Sequence, residues 1–169
     1  MKKFVDKLII GVYTPIMKHA KTTIAKRRSD IVQNCTCFNL RKAARAVTQL
    51  FDEILKPSGL HATQFTLLAA ISSKDDATIT ELSRALIMDR TTLTRNLNPL
   101  QKNGWVEVTP GADKRTRTLS LTRSGKKVLR QAMVYWRLAQ SKVVKALGKS
   151  NWEELLDNLE FTVKKLNPY

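Results

Sequence analysis

The sequence predicts a mainly α fold with one small β-hairpin. Two long stretches, before residue 57 and after residue 125, repeat their apolar residues at three and four, the spacing of a helix with one buried face. Two short stretches, Trp105–Thr109 and Thr118–Thr122, alternate apolar and polar residues instead, the period of a half-buried strand. A chain of 169 residues with 43% hydrophobic content suffices for one domain with its own core, or for a small domain whose long helices find their core in a partner.

Each element follows in order. From Thr36 to Lys56 the stripe is Leu40, Ala43, Val47, Leu50, Phe51 and Ile54, and Pro57-Ser58-Gly59 stops it. Thr63 is placed to cap a second helix carrying Phe65, Leu67, Leu68 and Ile71, which ends in the polar run Ser72–Asp76. A third helix of two to three turns holds Leu82, Ala85 and Leu86, with Thr80 as its expected cap. Asp89 caps a fourth, in which Leu93, Leu97 and Leu100 face inward, and Gly104 is a left-handed stop. Pro99 inside it leaves the Arg95 carbonyl without a donor and predicts a bend. The two alternating stretches then pair about the turn at Pro110–Asp113, with Val106, Val108, Leu119 and Leu121 on one face. Two further helices carry Val128 to Leu147 and Trp152 to Leu166.

Charge narrows the function. The net charge is +16, which favours polyanionic partners: nucleic acid first, an anionic membrane or acidic protein next, with a merely solubilising surface as the bland alternative. The surplus is concentrated in two places. Residues 1–30 carry eight basic and two acidic groups, and residues 89–127 carry nine and three. No apolar run approaches the roughly 20 residues that span a bilayer. The start, MKKFVDKLIIGVY, is interrupted by Asp6 and Lys7 and is not read as a secretion signal. The expectation is a cytoplasmic protein without stable membrane association, its cysteines reduced.

Two short helices joined by a tight turn, the second presenting Thr91, Thr92, Arg95 and Asn98 opposite its leucines, are the parts of a helix-turn-helix, whose second helix fits the DNA major groove. A hairpin directly after it, with Lys114, Arg115 and Arg117 at or near its tip, is a wing. Asp113, two residues before Arg115, is placed to orient that guanidinium. Alone, each part has an ordinary reading, as amphipathic packing or as a solvated loop. Their adjacency on one surface favours double-stranded DNA as the partner.

These residues carry a resemblance. MDRTTLTRNLNPLQKNGWVEV followed by DKRTRTLSLTRSGKKVL is similar to the signature of the MarR family (multiple-antibiotic-resistance regulators), bacterial winged-helix repressors. It covers about Cys35 to Leu166, and its most specific parts are Asp113 and Arg115 in the wing and the exit Leu119, Leu121, Thr122 and Gly125. The resemblance implies a homodimer on a pseudo-palindromic operator, with DNA contacts at Asp89, Arg90, Thr92, Thr94, Arg95 and Arg115. It implies dimerisation through residues 35–58 and 122–169 around a winged helix-turn-helix at 60–121. It further implies a small aromatic effector, for which Phe38, Arg41, His61 and Trp136 are candidate lining; packing is the competing role for each.

Cys35 and Cys37, at the start of the first long helix, are candidate oxidant sensors, with ordinary half-buried thiols as the alternative. A tetrahedral zinc site needs four ligands, and one chain offers only these two with His19 and His61 at irregular spacing, so no metal is expected. There is no phosphate-gripping glycine loop or nucleophile motif, so neither catalysis nor a cofactor is expected. Residues 1–34 lie outside the resemblance. Their basic run KHAKTTIAKRR is read as a DNA-grasping arm, a membrane-surface helix or a loosely attached segment. The rival function is a basic RNA- or ribosome-associated protein, which explains the charge but not the capped Thr/Arg helix beside a wing.

Overall fold

The computed structural model describes residues 32–74, 76–111 and 116–166. The elements are α1 (Thr36–Leu55), a 3-10 turn (Lys56–Ser58), α2 (Ala62–Ser72), β1 (Ala77–Thr78), α3 (Ile79–Ala85), α4 (Arg90–Lys102), β2 (Val106–Pro110), β3 (Arg117–Leu121), α5 (Arg123–Leu147) and α6 (Lys149–Leu166). The chain divides into two compact units, residues 1–46 and 47–169.

In the first unit residues 36–46 form the start of α1, preceded by a helical turn at 32–34. The Asn39 side-chain amide donates to the carbonyls of Gln33 (3.1 Å) and Cys35 (3.0 Å), occupying acceptors next to the helix start. The basic run at 18–28 lies outside the described residues.

The second unit holds the core. Leu55, Leu67, Leu68, Ile71, Leu93, Leu100 and Leu119 are the largest side chains with essentially no solvent exposure. They come from four elements, so the end of α1, α2, α4 and β3 are held together by one apolar cluster, to which Leu82 of α3 and Leu129 of α5 also belong. The three-stranded antiparallel sheet has the order β1-β3-β2. Val106 faces Leu121 and Val108 faces Leu119, so the expected buried face of the hairpin is the one observed. Pro110 is tolerated because β2 is an edge strand.

Three local expectations are corrected. The cap position of α2 is His61, not Thr63: the His61 N–H donates to Gln64 Oε1 (3.0 Å), and Asp52 of α1 accepts from the Ala62 N–H (2.6 Å), so the orphan donors are satisfied before Thr63 is reached. The cap of α3 is Thr78, not Thr80. Thr78 Oγ1 accepts from the Glu81 N–H (3.1 Å) and Glu81 Oε2 accepts from the Thr78 N–H (2.8 Å), a reciprocal box that Thr80 has no acidic partner to make. The sheet also has a third strand: Ala77 pairs with Leu119 and Thr78 with Thr118. Two residues are too few to show alternation.

Gly59 and Gly104 close their helical segments with φ of 75° and 67°, as read from the sequence. α4 runs unbroken from Arg90 to Lys102 through Pro99. α6 has no buried residue, and Leu155, Leu156, Leu159, Phe161, Val163 and Leu166 on it are all exposed.

Candidate nucleic-acid interface

The turn between α3 and α4 is built by backbone hydrogen bonds: Leu86 N–H to Leu82 (3.0 Å), Ile87 N–H to Arg84 (3.1 Å) and Met88 N–H to Ser83 (2.9 Å). Ile87 takes φ 52° to make it, a left-handed conformation that a β-branched residue adopts only at a cost. Asp89 then caps α4, its Oδ1 accepting from the Thr92 N–H at 2.8 Å. Hydrogen bonding from the Thr92 side chain and backbone holds the Asp89 carboxyl below its ordinary range, so it stays ionised at the positive end of the helix.

Burial of Leu93, Leu97 and Leu100 fixes which side of α4 faces out. Arg90, Thr91, Thr94, Arg95 and Asn98 line one shallow, solvent-open depression on that side. Thr94 donates its hydroxyl to the Arg90 carbonyl (2.7 Å) and keeps its acceptor lone pairs outward. Thr92, expected on this face, is half-buried and serves the cap. Neither Arg90 nor Arg95 forms an ion pair among the described residues, so both guanidinium forks are open to a new acceptor.

Beside this face stands the hairpin. Thr109 and Thr118 pair their hydroxyls at 2.9 Å, and Ser120 donates to Glu107 at 3.1 Å, bracing its polar side. Arg117 is exposed at the first position of β3, opposite Pro110. Asp113, Lys114 and Arg115 lie outside the described residues.

The base of the hairpin is tied to the end of α4. The hydroxyls of Thr122 and Ser124 both donate to the Gly104 carbonyl (2.6 and 2.7 Å), and the Thr122 N–H donates to the Trp105 carbonyl (3.1 Å). Thr122 Oγ1 also accepts from the Gly125 N–H (3.0 Å), capping α5. Nothing in the periodicity of the sequence announced this joint.

The other candidates are scattered. Cys35 is half-buried and Cys37 exposed, both as free thiols, and Cys35 Sγ accepts from the Phe38 N–H at 3.5 Å. Phe38 and Arg41 are exposed on α1. His61 is exposed with Nδ1 3.7 Å from Asp52 Oδ1. Only Trp136 of the four proposed effector-lining residues borders a cleft of about 350 Å³, whose other walls are Phe51, Ala62, Phe65, Thr66, Ala69 and Met133. Trp136 stacks on Phe65 with ring centres 6.1 Å apart and planes 15° from parallel. The residues that sequence reasoning missed reach this cleft from three helices, which no local pattern relates. Among the described residues no three His, Cys, Asp or Glu side chains gather as a metal site, and no helix is long and apolar enough to cross a membrane.

A capped helix with an open Arg/Thr/Asn face, set after a short helix and braced by a three-stranded wing, is a winged helix-turn-helix of the DNA-binding regulators. Comparison with known proteins agrees. A sequence model of the MarR family matches residues 58–116. The multiple antibiotic resistance protein MarR of Escherichia coli is 32% identical over 121 residues, which cover 71% of this chain and 82% of that one. The HTH-type transcriptional regulator YwoH of Bacillus subtilis is 31% identical over 88 residues, 52% of this chain and 64% of YwoH. Among solved structures, the M. tuberculosis transcriptional regulator MosR in complex with DNA is similar with a TM-score of 0.70 and 37% identity, over 79% of this chain and 99% of that one. The chain belongs to the MarR family of transcriptional regulators.

Proposed function

We propose that the chain is a homodimeric repressor that binds a pseudo-palindromic operator and is released by a signal. The observation that carries the reading is the outer face of α4, where Arg90, Thr91, Thr94, Arg95 and Asn98 border a common depression and no ion pair among the described residues consumes the arginines. Arg95 is assigned to a guanine edge, since its planar fork matches the O6/N7 acceptor pair. Arg90 and Arg117, with Lys114 and Arg115 of the wing tip, are assigned to phosphates and the minor groove, Asp113 orients Arg115, and Asp89 and Thr92 set the start of the reading helix. That MosR was solved with DNA supports the same use of the fold.

Dimerisation is assigned to residues 35–58 and 122–169. The support is the apolar surface left outward on them: Leu40 and Phe38 on α1, Val134 and Leu138 on α5, and the whole stripe of α6. Exposed apolar residues in that number belong under a partner, and a second copy of the chain supplies the matching helices.

Release is assigned to a small aromatic effector in the Phe51–Trp136 cleft, where a ring can stack on the exposed part of the Phe65–Trp136 pair. Oxidation of Cys35 or Cys37 is the second signal. Operator affinity measured before and after peroxide in wild type and in Cys35→Ser/Cys37→Ser tests it, and equal affinities in all four samples remove it.

The reading as a whole is tested by footprinting on duplexes selected from a random library. Arg95→Ala is expected to relax base preference at one operator position, at about 1–3 kcal/mol, while Arg117→Ala weakens all sequences more evenly. A footprint unchanged by both substitutions overturns the docking.

A further inference from the structure

From Lys114 to Trp152 the sequence contains no acidic residue. Most of the cations in that run that the reading head does not use sit on α5. At 100° per residue, Arg123, Lys126, Arg130 and Arg137 fall within an arc of roughly 60° on that helix, opposite the buried Gly125, Leu129, Ala132 and Ala139. All four are exposed, and none forms an ion pair among the described residues. The fourteen steps from Arg123 to Arg137, at ~1.5 Å each, make a basic rail of about 20 Å. Like charges in one row repel one another, and among the described residues no acidic side chain offsets that repulsion.

Its position says which polyanion it fits. The rail starts where α5 is tied to the end of α4: Thr122 and Ser124 hold the Gly104 carbonyl, two residues past Lys102, itself exposed. The rail therefore begins where the exit of the reading helix is fastened to α5. Beside it Val134 and Leu138 form an apolar strip, 65% and 52% exposed, on the side assigned above to a second copy.

We infer that this rail is a second DNA contact, binding the phosphates of the duplex that flanks the operator. The inference rests on the DNA-binding reading above and extends it beyond the helix-turn-helix and wing. Charge complementarity and attachment to the end of the reading helix favour duplex DNA over an acidic protein segment.

The test uses the full chain and the triple variant Lys126→Gln/Arg130→Gln/Arg137→Gln, with folding checked by circular dichroism. Two duplexes are compared, one trimmed to the base pairs whose identity the protein selects and one extended by about two helical turns, roughly 20 bp, on each side. Wild type is expected to bind the extended duplex more tightly, with a steeper fall of affinity in salt. The variant loses that advantage: its log–log salt slope on the extended duplex drops by about 3 per subunit, while affinity for the trimmed duplex changes by less than about twofold. An unchanged slope on the extended duplex overturns the inference, as does an equal loss on both duplexes. So do unchanged DNA slopes with loss of poly-glutamate binding, an outcome that assigns the rail to an acidic protein. If wild type gives no footprint at all, the DNA reading fails; if the footprint stands and the slope does not move, the rail alone fails.

Discussion

Gly125→Ala is the substitution that most directly tests how the reading helix is held. Gly125 lies in the first turn of α5 against the Trp105 backbone, and a Cβ built on it stands 2.0 Å from the Trp105 carbonyl oxygen and 2.9 Å from its carbon. Ordinary contact begins at 3.4 Å, so something must move by more than an ångström. The carbonyl cannot easily yield, because it accepts from the Thr122 N–H at 3.1 Å while the Trp105 N–H donates to Leu100 at 2.9 Å. Overpacking against a fixed backbone costs about 1–3 kcal/mol or more, and the gain from replacing glycine in a helix is about 0.5–1 kcal/mol. The net expectation is a loss of about 1–2 kcal/mol, which for a unit of this size lowers Tm by about 5 °C. Thermal and urea unfolding at fixed protein concentration measure it, since any self-association would make Tm concentration-dependent. A Gly125→Ala protein as stable as wild type would refute the reasoning.

Three further outcomes follow from the same geometry. Lys74 and Thr78 hold the exposed Glu81 carboxyl down at about 2, below its usual value of 4.5. A depressed acid contributes stability that is full above its unfolded pKa and lost as pH falls through the folded one, so the wild-type advantage over Glu81→Gln should shrink between about pH 4.5 and 2. An advantage that does not change over that window would remove the capping role. Ile87→Gly relieves a left-handed strain of about 1–2 kcal/mol against a chain-entropy cost of about 0.5–1 kcal/mol, so Tm should hold or rise slightly; a loss above about 1 kcal/mol would mean that the side chain is needed. A small phenolic ligand in the cleft should quench Trp136 fluorescence, and Phe65→Ala should abolish the saturable part; quenching that persists in that variant would place the ligand elsewhere.

What could be read from the sequence was whatever has a period or a local cap. The leucines of α4 and the alternating hairpin are such signals, and Asp89 was found because the capping residue directly precedes the helix it serves. The failures share one cause. Asp52 caps α2 from ten residues upstream, β1 finds its partner some forty residues later, and the Phe51–Trp136 cleft collects residues from α1, α2 and α5. Each depends on tertiary proximity. Thr80 was preferred to Thr78 although both are threonines, and the deciding partner, Glu81, was already visible three residues beyond Thr78.

The exit Leu119–Gly125 shows how a pattern and a geometry meet. The leucines at 119 and 121 are strand residues facing the core, which alternation explains. Thr122 and Gly125 have no place in the alternation, yet they do the mechanical work. Thr122 uses one hydroxyl to donate to Gly104 and to accept from Gly125, and its N–H for Trp105, so three bonds from one residue join the end of α4, the start of β2 and the cap of α5. Glycine at 125 is what lets the helix backbone come close enough for those bonds to be made. α5 therefore cannot tilt at its first turn without carrying the end of the reading helix with it. Met133 and Trp136, which wall the cleft, sit on that same helix about three turns further along. A ligand that displaces α5 at the cleft has a rigid path of hydrogen-bonded backbone to α4, whereas one that rearranges only side chains there leaves the reading face where it was.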